Sequence, residues 1–185
     1  MARIPTLTRD QVPERFQAAF DHETAGTGGV VESGPGSVMI NSPEMRLRAN
    51  HLVGYFREVT DLPLKLQELA MILTARHMDC QYIWHAHSAR ARQQGVSNEL
   101  VDALRDKKPL PAMPADEAAL VAYATELFND HRVSAPTFKT ALEQFGTRWL
   151  TELATMMGYY TLLAYNANSF EIDLPEGGPE PVLPI

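Results

Sequence analysis

Apolar residues recur at spacings of three and four along most of the chain, which is the period of helices that turn one face to a core. Pro13 opens the first such segment, and Phe16, Ala19 and Phe20 continue it. Ser42 and Pro43 form a cap and first turn, after which Ala49, Leu52, Val53 and Phe56 lie on one stripe. Pro63 opens the next helix in the same way, with Leu66, Leu69, Ala70 and Leu73 on its apolar face and an end near His77. Asp79 reads as the N-cap of a helix running from residue 80 to about 94, closed by Gly95. Ser97 caps another, with Val96 and Val101 placed as a hydrophobic staple. Leu120, Ala124, Leu127 and Phe128 mark a helix ending near His131, and a shorter one over 134–145 is closed by Gly146. Thr147 then caps the longest helix, whose buried face carries Leu150, Leu153, Met157, Tyr160 and Ala164 toward Asn168. No segment alternates with period two, so an all-α bundle of about seven or eight helices follows.

Three stretches interrupt this rhythm. TAGTGGVVESGPGS, residues 24–37, is rich in Gly and Ser and reads as a mobile surface loop of the kind that can serve as a lid. KKPLPAMP, residues 107–114, is a proline-rich connection. DLPEGGPEPVLPI, residues 173–185, has a proline spacing that forbids a helix, so an extended tail over the surface or over a neighbouring subunit is expected. At 185 residues the chain suits one domain spanning 1–185.

Composition narrows the function classes. With 45% hydrophobic residues the chain is globular, and a formal charge of -7 argues against phosphate-backbone binding, which needs clustered Lys and Arg. Nucleic acid is therefore not an expected partner. The first residues contain no apolar run long enough for a signal peptide, and no run approaches the ~20 residues of a membrane span, so a cytoplasmic protein with no membrane partner is expected. The single cysteine cannot form an internal disulfide.

That cysteine lies in the most chemically dense stretch of the chain, CQYIWHAH at residues 80–87. At 100° per residue Cys80, Ile83, Trp84 and His87 share one helix face, whereas Tyr82 and His85 point elsewhere. Glu68 lies among Leu66, Leu69 and Leu73 on the preceding helix, where a carboxylate needs a partner. On residue type alone, Cys80 reads first as a small core residue and His87 first as a hydrogen-bonded core histidine, while Glu68 has Arg76 or a buried polar group as an alternative partner. Trp84 is first of all a packing residue. His77, His85 and His87 do not have the spacing of a coordination set, so no metal and no cofactor are expected.

A Glu twelve residues before a Cys, with a His seven residues after it, resembles the carboxymuconolactone decarboxylase and alkylhydroperoxidase D superfamily. ELAMILTARHMDCQYIWHAH (68–87), ARARQQGVS (89–97) and LATMMGYYTLLAYNANSFEIDLPEG (153–177) carry the likeness to its carboxymuconolactone decarboxylase-like branch. The resemblance implies an alkylhydroperoxidase D-like helical bundle. It also makes Glu68, Cys80 and His87 the candidate catalytic residues, with Ile83 and Trp84 as pocket wall. Redox members carry a second cysteine three residues after the first, and this chain has Ile83 there. The dithiol cycle is thus excluded.

What remains suits acid-base chemistry on a small organic acid or lactone, as in a lyase or decarboxylase. A single-cysteine thiol peroxidase served by an external thiol is the alternative, and a non-catalytic member of the fold is the third reading. The family likeness further implies a homo-oligomer, a trimer or a hexamer. The stripes over 49–56 and 150–164 are apolar beyond what a small monomer covers, which supports the same expectation. Sedimentation at micromolar concentration should therefore give a mass well above the 20.6 kDa of one chain.

Overall fold

The computed structural model describes residues 3–178 and 180–185; Met1, Ala2 and Pro179, which the expected domain and tail include, lie outside the described residues. Eight α-helices and no strand occur among the described residues. In chain order they are α1 (Glu14–Thr24), α2 (Gly34–Met39), α3 (Pro43–Glu58), α4 (Leu64–His77), α5 (Gln81–Gln93), α6 (Asn98–Asp106), α7 (Ala115–Asp130) and α8 (Ala135–Ser169). No described helix is long and apolar enough to cross a membrane. The chain divides into two compact units, 1–61 with 165–176 and 62–164 with 177–185.

In the first unit, α1 and α2 pack on α3, and Val12, Phe20, Val31 and Ile40 form a small core with Leu7 and Phe16 against it. The segment 24–37 is less open than its composition suggests. Turns cover only its first part, and α2 starts at Gly34 with Pro35 in its first turn, where a missing N–H costs nothing. Arg46 then ties the helix down by donating from Nη1 to the Gly36 carbonyl at 2.6 Å, an approach so close that a Cβ at Gly36 would meet that nitrogen at 2.7 Å. Glu23 holds the same guanidinium at 2.9 Å and also accepts from Asn50. The tether comes from α3, and no local pattern could announce it.

In the second unit α4 is the central helix, buried along most of its length and packed against α5, α6 and α7. Its polar residues tolerate this because their partners are close by. Gln67 donates to the Leu62 carbonyl at 2.8 Å, and Thr74 donates back to Ala70 at 2.8 Å. On the flank, the Lys65 ammonium reaches Asp116 at 2.6 Å and the buried Glu117 at 3.2 Å, pinning α4 to α7.

α4 ends in a Schellman turn rather than at a simple cap. Asp79 is left-handed (φ 46), its N–H reaches the Arg76 carbonyl at 3.3 Å, and the Cys80 N–H reaches the Ala75 carbonyl at 2.8 Å. Asp79 was expected to cap α5, but its carboxylate is drawn to Arg76 and, at 3.5 Å, to Lys107. Cys80 is the N-cap instead. The remaining starts follow the sequence reading: Ser97 Oγ accepts from the Leu100 N–H at 3.1 Å, and Gly95 is left-handed after α5.

The tail from Gly177 onward returns to the second unit. Leu183 is fully buried, Gln81 donates to its carbonyl at 2.8 Å, Arg76 donates to the Pro184 carbonyl at 2.9 Å, and Glu180 pairs with Arg92 at 2.9 Å. Gly178 lies on the ring of His85, where a Cβ would collide.

α8 breaks at Gly146 into 135–145 and 147–169. There φ is 67° and ψ 171°, a region open essentially to glycine alone. Gly146→Ala should therefore lower stability by about 1–3 kcal/mol, read as a fall in the denaturation midpoint with an unchanged slope.

Candidate functional site

Because the turn at Met78 and Asp79 is so short, α5 runs back along α4. Glu68 lies nine positions before His77 and His87 six after Gln81, roughly 13 and 9 Å of helix, so the two residues fall at similar heights on facing helices. Their side chains meet. Nδ1 of His87 and Oε2 of Glu68 form a hydrogen bond of 2.8 Å, and each side chain is 12% exposed. The pair is thus largely, though not completely, shielded from bulk water. The alternative pairing of Glu68 with Arg76 does not occur. Arg76 is occupied by Asp79 and by the carbonyls of Arg105 and Pro184.

A third residue completes the arrangement. Tyr160, buried on the second half of α8, meets the His87 ring edge to face, with centroids 5.2 Å apart and planes at 82°. The sequence reading placed Tyr160 on a buried face but not at the site. An aromatic in a stripe of Leu and Met looks like any core residue, and only the path of α8 after Gly146 brings it to His87.

Cys80 occupies the N-cap of α5 and is fully buried. Burial pushes its thiol above the ordinary range, and the N–H groups of Ile83 and Tyr82 only partly offset this, with no side-chain hydrogen bond closing the cap. The pull of a helix N-terminus toward thiolate is thus outweighed by desolvation. Ile83 and Trp84 are buried on the same face of α5, and the Trp84 Nε1 and Ser88 Oγ have no hydrogen-bond partner.

The other histidines of this region diverge. His77 stacks on Phe128 at 4.5 Å, and burial together with nearby His131 lowers its pKa, while His85 sits under Gly178. Among the described residues no three His, Cys, Asp or Glu side chains converge as a metal-ligand set.

The buried thiol generates a pH prediction. Its folded pKa is raised, so the folded state holds this proton more tightly than the unfolded chain. The group carries no penalty below about 8.5, the unfolded value, and stability falls as pH rises from there through the folded value. Denaturation midpoints between pH 7 and 10 should show this alkaline loss in the wild type and a shallower one in Cys80→Ala. Identical slopes in the two proteins would show that the thiol does not titrate with folding.

Residues 43–126, which contain Glu68, Cys80 and His87, match the carboxymuconolactone decarboxylase family. No curated protein matches the chain. Among solved structures, the alkylhydroperoxidase AhpD core of a peroxidase-related protein from Ralstonia eutropha JMP134 superposes with a TM-score of 0.71 at 16% identity, covering 95% of this chain and 93% of that one. A debrominase in complex with 2,3,4-tribromopyrrole gives 0.68 at 14% identity, with 95% of each chain covered. A peroxidase-related protein from Silicibacter sp. TM1040 gives 0.67 at 15% identity, covering 95% of this chain and 92% of that one. At such identities these likenesses establish the fold, which is the AhpD-like one. The family match and the fold agree: residues 43–126 match the carboxymuconolactone decarboxylase family, and the chain has the AhpD-like fold.

Proposed function

We propose that this protein is an acid-base enzyme of the decarboxylase or lyase type, acting on a small organic acid or lactone. The observation that carries the reading is the Glu68–His87 hydrogen bond of 2.8 Å in a largely dry setting. Such a pair holds a proton at a defined atom. When Glu68 is a carboxylate it can only accept, so Nδ1 carries the proton and Nε2 faces the reactant. A substrate carboxylate that departs as CO₂ leaves its bonding electrons on the neighbouring carbon. Imidazolium His87 then gives its Nε2 proton to that carbon and becomes neutral, and solvent restores the proton while Glu68 keeps the ring in place. The low exposure of the pair favours the transfer from His87 to carbon, because competing proton sources are few. Cys80 has no part in the proton transfer in this reading; it packs the start of α5 and keeps its thiol protonated.

A second reading rests on the lone thiol and on the peroxidase-related proteins that share the fold. In it the Cys80 thiolate attacks a peroxide oxygen, an alcohol leaves, and the resulting sulfenic acid condenses with an external thiol, with loss of water. Ile83 at the partner position removes the internal resolving thiol, and the burial of Cys80 disfavours its thiolate. Both observations rank this reading second.

The two separate cleanly in assay. On a panel of lactones and β-keto acids, His87→Ala and Glu68→Gln should each lower kcat/KM by about a hundredfold to ten-thousandfold, the usual cost of losing a positioned acid or base. Cys80→Ser should retain most of the rate. Peroxide reduction with an external thiol that vanishes in Cys80→Ser and survives in His87→Ala would establish the second reading instead.

A further inference from the structure

Holding a proton at a defined atom requires that the imidazole not rotate, and the Glu68 hydrogen bond alone fixes only one edge of the ring. A single contact at Nδ1 leaves the ring free to swing about that bond and about its own χ2, which is a broad torsion. The second restraint has to come from a surface against the ring. Tyr160 is the residue whose ring meets it, at 5.2 Å and 82°, from a helix other than those that carry Glu68 and His87. Tyr160 is itself well restrained, 5% exposed and packed edge to face with Tyr159 at 6.1 Å. It lies beyond the break in α8 at Gly146, whose backbone angles admit essentially only glycine.

We infer that Tyr160 is a positioning residue, whose ring locks the His87 imidazole so that Nδ1 stays on Glu68 and Nε2 is the nitrogen presented to substrate. The inference rests on the proposed acid-base reading for its functional meaning, whereas the locking is a property of the folded protein and is measurable without a substrate. Three elements then share the work: α4 supplies the acceptor, α5 the imidazole and α8 the flat surface that stops it turning. The restraint is assigned to the ring, which meets the His87 ring edge to face.

Nitrogen-15 NMR of protein labelled at histidine tests this, with the His87 signals identified by their absence in His87→Ala. In the neutral form the wild type should show one dominant tautomer, protonated at Nδ1, with well-separated Nδ1 and Nε2 shifts. Tyr160→Phe keeps the ring and should keep that signature. Tyr160→Leu keeps much of the volume but removes the flat surface, and should bring the two shifts toward their exchange average while circular dichroism still reports a helical protein. A Tyr160→Leu protein with the wild-type signature would overturn the inference, and so would its loss in Tyr160→Phe, which would assign the effect to the hydroxyl. Glu68→Leu removes the acceptor altogether: if it leaves the signature intact, the Glu68–His87 pairing itself fails, whatever Tyr160 does.

Discussion

The geometry of the site depends on a turn of two residues, Met78 and Asp79. A Schellman closure uses the N–H groups of Asp79 and Cys80 to satisfy the last carbonyls of α4, and in doing so reverses the chain within a few ångströms. The reversal requires a left-handed residue, and Asp tolerates that conformation better than most other residues. Its carboxylate, free of any capping duty, is pulled sideways by Arg76 and Lys107, which holds the turn from outside. Cys80 emerges with two roles: its N–H completes α4 and its position begins α5. A longer connection would have allowed α5 to slide along α4, and a slide of one turn, about 5 Å, is larger than any hydrogen bond between Glu68 and His87 could span.

Placing an acid and an imidazole against each other inside a bundle is costly unless each satisfies the other. Both are removed from most of the surrounding water, and a hydrogen bond to a charged group contributes on the order of 1.5–3 kcal/mol in return. The rest of α4 makes this tolerable by having few other demands, since Gln67 and Thr74 find partners within their own helix or just before it. The tail adds a further constraint on the same hairpin. By accepting from Arg76 and Gln81 and pairing with Arg92, it joins the end of α4 to both ends of α5. Reactivity is thereby divided unequally along α5. The helix start holds a thiol that burial keeps protonated, and its middle holds an imidazole with a partner and limited access to water.

What the sequence determined by itself was the helical content and most of the helix boundaries. The capping residues, the prolines at first turns and the stripes of apolar residues are local signals, and the starts at Ser42, Pro63 and Ser97, the stop at Gly95 and the break at Gly146 were all legible for that reason. Glu68, Cys80, Ile83, Trp84 and His87 could be singled out because spacing and residue type are also local. Only the tertiary structure decided what these residues touch. Glu68 had two candidate partners, and the α4–α5 reversal chose His87 while Asp79 and two distant carbonyls took Arg76. Asp79 looked like a cap because Asp before a helix usually is one, but the competing closure of α4 claimed its backbone first. The helix that begins within 24–37 was hidden by its glycines, since its anchor is an arginine ten residues beyond Gly36. Tyr160 was invisible as a site residue for the same physical reason: its meaning lies in a contact across more than seventy residues of chain, which no local pattern reveals.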